Sequence, residues 1–264
     1  MSEPSQPNRS GQTVGLFAAL LLMPSALALL VLTGSAALGW GLAGIAATQV
    51  VALAAPSWLA ARRAGRPAEV LALVRPPGRA LVGAALLAVS YWYLSAVLIA
   101  PLVEHLFTEP EIESLSEQVG GPEPLAFKLL VIAIVPAVCE ELLVRGAIAR
   151  GLRPRLGMFA AALVSSAYFA LLHGSLGRLP ITFALGLVLA VATLRSGSLF
   201  PAVLIHAGNN AAVVLLSQAE LAGAVEALSA GIVPLLLLPL AALLSVTGLA
   251  MVWRSGSTQP QRPW

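Results

Sequence analysis

About eight times along this chain, some twenty mostly apolar residues follow one another with few charges among them. A run of that length matches the hydrocarbon core of a bilayer, about 30 Å thick, at about 1.5 Å of helix per residue. Inside lipid the backbone must satisfy its own hydrogen bonds, which leaves only helices and closed barrels. Long runs without strict alternation select the helix. The runs fall near residues 14–32, 36–60, 80–103, 125–152, 156–173, 179–194, 199–217 and 232–253. Composition agrees, with 58% hydrophobic and 10% charged residues, where a soluble domain is about one quarter charged. The expected fold is therefore all-α, a polytopic membrane protein with about eight transmembrane helices.

Between the runs, the loops set orientation and partners. Arg9, the five arginines at 62–79, Arg150, Arg153, Arg155, Arg195, Arg254 and Arg262 fall on one side of an eight-span arrangement. Lys128 and Arg178 fall on the other, with most of the glutamates, Glu220 and Glu226 included. Basic loops favour the cytoplasmic side, so both termini are expected there, in a bacterial inner membrane. The stretch Glu104–Pro124 is then external. Its Ile112, Leu115 and Val119 recur at helical spacing, as in a helix lying on the membrane surface. The basic residues are scattered through short loops, so the lipid bilayer is an expected partner and nucleic acid is not. A single cysteine, Cys139, excludes an intramolecular disulfide and any cysteine-built zinc cluster. Residues 1–12 are polar with one basic residue, and the run after them is long enough to span, so no cleavable signal is expected.

The stretch from Pro136 to Arg145 breaks the apolar pattern with two adjacent carboxylates, Glu140 and Glu141. An ionisable group at bilayer depth costs about 2.5–3.5 kcal/mol on insertion scales and usually marks function. Glu141 and Arg145 are four residues apart, share a helix face and can pair. A structural ion pair explains those two residues. It leaves Glu140, turned about 100° away, in need of a partner from another helix. Pro136 has no N–H, so the carbonyl of Ile132 loses its helical partner and the helix should kink just before the carboxylates.

Two more polar clusters interrupt the later runs: Phe169 with His173, and His206 with Asn210, each pair spaced by four. The spacing puts His206 and Asn210 on one helix face, aimed at one partner or cavity. With the turn at Arg153-Pro154-Arg155, Glu140 and His173 lie about 21 and 27 Å of helix from it, and can meet across an antiparallel hairpin. A carboxylate stripped of water holds a proton more readily and becomes a better base near neutral pH. Beside a histidine it can hold and activate a water. His206 and Asn210 can donate hydrogen bonds to an oxyanion formed from an attacked carbonyl. These are the parts of an amide hydrolase.

Glu140-Glu141-x-x-x-Arg145, Phe169-x-x-x-His173 and His206-x-x-x-Asn210, in this order on successive helices, resemble the CPBP (ABI) family of intramembrane proteases related to the CAAX prenyl endopeptidase. The resemblance covers about residues 125–215. It implies a conical catalytic helix core, with Glu140 and His173 activating water, His206 and Asn210 forming the oxyanion hole, and Glu141, Arg145 and Phe169 in support. It also implies a membrane-associated protein or peptide as substrate; the sorting-segment proteases of the myxosortase type are one branch. The chain then divides into a tail (1–12), N-terminal helices with the acidic loop (13–124), a catalytic core (125–217), a final helix (218–253) and a tail (254–264).

Family members have often been labelled metalloproteases. Glu140, His173 and His206 could supply the three ligands a catalytic zinc needs. The sequence has no His-Glu-x-x-His pair, and the resemblance favours a glutamate mechanism with no cofactor over the zinc alternative. Two other classes remain open. A non-catalytic immunity or scaffold protein needs no intact polar set, and a transporter should show two matching halves.

Overall fold

The computed structural model describes residues 12–99, 101, 122–218 and 233–256. The expected surface helix through Ile112, Leu115 and Val119, residues 1–11 and 257–264 of the polar tails, Glu220 and Glu226 lie outside the described residues. Among those described there is no strand, and each of the expected apolar runs forms a helix. In chain order these are α1 (Leu16–Ala37), α2 (Gly41–Ala64), the short α3 (Pro67–Val70), α4 (Gly78–Ile99), α5 (residues 125–149), α6 (Arg150–Leu172), α7 (Leu179–Ser196), α8 (Phe200–Leu216) and α9 (Val233–Ser255).

Five of the described helices are long and apolar enough to cross a membrane by themselves: α1 over Leu16–Ser35, α2, α4, α7 and α9. The chain is an integral membrane protein. α8 is apolar but shorter, at 17 residues. α5 carries the buried charges, and its helical geometry is interrupted, as that of α2 is at Val50–Ala54. π-helical segments at Leu129–Ile134 and Leu142–Ala149 flank the α-helical piece Val135–Glu141. The first lies where Pro136 withholds an N–H from Ile132. Widened turns of this type often occur at functional positions.

The turn lies elsewhere than expected. Arg153-Pro154-Arg155 is helical, and the break comes at Gly157, with φ 77° and ψ 173°. That backbone region is closed to residues with a Cβ and open to glycine. Charge and proline mimicked a turn; steric freedom made one. Glu140 precedes Gly157 by 17 residues and His173 follows it by 16, about 26 and 24 Å of helix, so the two limbs come into closer register than first counted.

Small residues set the packing, as expected where lipid removes the hydrophobic drive between helices. α4 meets α9 at Gly83 and Gly248, where a Cβ on either would lie 2.6 or 2.7 Å from the other's carbonyl oxygen. The same pair of helices shares a hydroxyl contact, Ser90 Oγ to Ser245 Oγ at 2.7 Å. α8 packs on α4 and on the front of α5, and α6 packs on α7. α1, α2 and α7 pack on the middle of α5, whose residues 139–149 are all buried.

Candidate active site

Adjacent residues on a helix diverge, and the two carboxylates of α5 accordingly have different surroundings. Glu141 and Arg145 are both fully buried. Arg145 Nη1 donates to Glu141 Oε1 at 2.8 Å, which is the pairing the spacing of four requires. Arg145 Nη2 donates to the carbonyl of Gly186 on α7 at 3.0 Å. Gly186 is there because α6 passes so closely that a Cβ would meet Ser166 Cβ at 3.0 Å. The guanidinium lies 4.3 Å over the ring of Phe169, a stacked arrangement that desolvation strengthens.

His206 reaches the same carboxylate. Its Nδ1 is 3.0 Å from Glu141 Oε1, and its Nε2 is 3.9 Å from Glu140 Oε2. A carboxylate bonded to an arginine only accepts, so the proton of that first contact sits on Nδ1. Glu140 gains the partner from another helix that it needed: Gln49 Nε2, on α2, donates to its Oε1 at 3.1 Å. The other oxygen, Glu140 Oε2, is buried with no hydrogen-bond partner in the protein. Gln49 Oε1 is likewise buried and unpartnered.

Asn210 stands one turn beyond His206 and also faces α5. Its Nδ2 donates to the carbonyl of Ile132 at 3.3 Å, the group that Pro136 left without a helical donor. One amide hydrogen is thereby used and a second remains. His173 caps α6, with Nδ1 2.9 Å from the Phe169 carbonyl. A carbonyl only accepts, so Nδ1 carries the proton of this contact. Phe169, fully buried, meets His173 edge-on at 4.9 Å and His206 at 5.5 Å between ring centroids. The structure thus joins Glu140, Glu141, Arg145, Phe169 and His206 directly. It links His173 through Phe169, with no hydrogen bond between His173 and Glu140.

Zinc needs converging ligands at about 2 Å. Among the described residues, no three His, Cys, Asp or Glu side chains are grouped to hold a metal. His206 donates from Nδ1 to Glu141, which leaves Nε2 as the ring nitrogen turned toward Glu140.

Residues 122–212 match the family model for type II CAAX prenyl endopeptidase Rce1-like proteins. This segment is similar to those proteins. It spans 91 residues, about a third of the chain, and contains all of the motif residues from Glu140 to Asn210. No curated protein and no solved structure matches the chain.

Gln49 lies outside the matched segment and was missed in the sequence, although an amide in the middle of an apolar run was a signal. It holds Glu140 Oε1 and so leaves Oε2 as the oxygen that faces His206. A hydrogen bond to a charged group contributes about 1.5–3 kcal/mol, so Gln49→Leu is expected to lower kcat for peptide hydrolysis about 10- to 100-fold. KM should change little, while the melting temperature falls because Glu140 Oε1 is left without its donor. An unchanged kcat in purified protein would remove Gln49 from the site.

Proposed function

We propose that the chain is an intramembrane endopeptidase that hydrolyses a peptide bond of a membrane-associated protein or peptide, with Glu140 as the base. One observation carries this reading: Glu140 Oε2 is a buried carboxylate oxygen with no protein partner, 3.9 Å from His206 Nε2. A water bound there loses its proton to Glu140, with the His173 Nε2 lone pair as a second acceptor that orients it. The hydroxide adds to the scissile carbonyl carbon. The oxyanion accepts hydrogen bonds from the second amide hydrogen of Asn210 and from His206 Nε2–H, which makes His206 an imidazolium in that step. Collapse breaks the C–N bond as Glu140 returns the proton to the departing amine. Glu141 and Arg145 hold His206 in place.

This route uses no metal. Purified protein is expected to cleave a prenylated CAAX peptide after exhaustive phenanthroline treatment, and elemental analysis should find no stoichiometric zinc. One zinc per chain, with activity lost on its removal and restored on re-addition, would overturn the glutamate mechanism and leave the fold in place.

We also place both termini in the cytoplasm and residues 104–124 outside, on the one-sided arginines. In a Cys139→Ala background, an impermeant thiol reagent should label Glu113→Cys from outside the cell and spare Arg66→Cys. The opposite pattern inverts the orientation.

A further inference from the structure

Pro136 is buried inside α5, one turn before Glu140. A proline ring within a helix crowds the carbonyl four residues back and offers it no N–H. Here that carbonyl belongs to Ile132. Helical angles nevertheless continue up to the proline, with φ −81° and ψ −50° at Ile134 and φ −61° and ψ −50° at Val135. The widened turn over Leu129–Ile134 makes the room. The Ile132 carbonyl accepts from another helix instead, through Asn210 Nδ2 at 3.3 Å.

The α8 side of this contact is also constrained. At Gly208, α8 comes so close to α4 that a Cβ would lie 2.6 Å from Ala88 Cβ. Asn210 follows two residues later. A backbone carbonyl only accepts, so the nitrogen end of the Asn210 amide is the end that faces Ile132. The oxygen end accepts from Asn209 Nδ2 at 3.4 Å. With both ends engaged, the second N–H of Asn210 points in a direction set by the Ile132 carbonyl.

We propose that Pro136 is a positioning residue for the oxyanion hole: by denying Ile132 a helical N–H, it keeps that carbonyl turned to α8 as the anchor of Asn210. The effect on rate rests on the role in hydrolysis given to Asn210 above; the anchoring does not. Any other residue at position 136 brings an N–H. A carbonyl oxygen has two lone pairs, and that N–H would take the one along the helix axis. The new bond draws the carbonyl toward the axis and lets the widened turn close, away from α8.

The test uses the full chain in detergent. Its asparagines are Asn8, Asn209 and Asn210. Labelling asparagine nitrogen alone therefore gives few side-chain amide signals by NMR, and Asn210→Ala identifies that of Asn210. In the wild type one proton of this amide is expected downfield, shifted by its bond to Ile132, and in Pro136→Ala that shift should be lost. If it persists, the proline does not govern the anchor and the proposal fails. For a cleavable peptide, Asn210→Ala is expected to lower kcat about 10²- to 10³-fold, as removal of one oxyanion donor does. Pro136→Ala should lower kcat about tenfold with KM little changed, the size of one misplaced hydrogen bond. The two substitutions combined should be no slower than Asn210→Ala alone, because the proline acts through the amide. Losses that multiply would show that Pro136 acts through packing, and would overturn the proposal. If Pro136→Ala does not fold, Pro136→Val, which restores the bulk of the ring, takes its place in both measurements. If neither folds, the proline is structural and the proposal falls. Normal turnover by Asn210→Ala, with the amide shift still lost in Pro136→Ala, would instead remove Asn210 from the chemistry and leave the anchor standing.

Discussion

Glu140→Gln is expected to lose peptide hydrolysis by about 10²–10⁴-fold, the usual contribution of a positioned base, while the protein still inserts and folds. The substitution is well matched to its surroundings. The new carbonyl oxygen can accept from Gln49 Nε2 as Glu140 Oε1 does at 3.1 Å. An amide nitrogen then replaces Oε2, and it cannot take a proton from water. Shape and packing are kept while basicity is removed. The loss should fall on kcat, with KM for a cleavable peptide and the melting temperature close to the wild type. Turnover near that of the wild type would show that another group is the base.

Arg145→Met is expected to have the largest effect on stability. The substitution removes the donor 2.8 Å from Glu141 Oε1, and Glu141 is fully buried. Its other oxygen already lacks a partner, so His206 alone would face the carboxylate. Breaking a buried pair from one side costs about 3–5 kcal/mol, because an uncompensated charge remains. Phe169 also loses the guanidinium 4.3 Å above its ring. Thermal unfolding in detergent measures the cost. Glu141→Met combined with Arg145→Met should be more stable than Arg145→Met alone, since removing both partners leaves no stranded charge. If Arg145→Met melts like the wild type but is inactive, Arg145 belongs to the chemistry and not to the bracing.

The features legible in the sequence were those set by local geometry. Glu141 and Arg145 pair because four residues make about one helical turn, and Glu140 had to look to another helix for the same reason. The orphaned carbonyl of Ile132 followed from the missing N–H of Pro136. That Asn210 of α8 answers it, at 3.3 Å, depends on how two distant helices meet, which no local rule encodes. His206 is nearer to Glu141 than to Glu140 for the same kind of reason. The misplaced turn had a different cause. Arg153, Pro154 and Arg155 are residues that loops favour, yet α6 accommodates them, and the chain breaks at Gly157 because only glycine reaches its φ and ψ readily. Gln49 was overlooked because one amide in an apolar run breaks no periodicity.

The close approach of α4 and α9 has a consequence for how the molecule is made. Ser90 and Ser245, which touch across that interface, are 155 residues apart. At roughly 5–20 residues per second, a ribosome needs about 8–30 s to synthesise the chain between them. Throughout that interval the Gly83 face of α4 has no α9 to meet. α8 covers part of the same helix earlier, through Gly208 against Ala88. The glycine and serine face must therefore wait in lipid, or against the insertion machinery, until the last span is delivered. Truncation before Val233 would leave that face without its α9 partner.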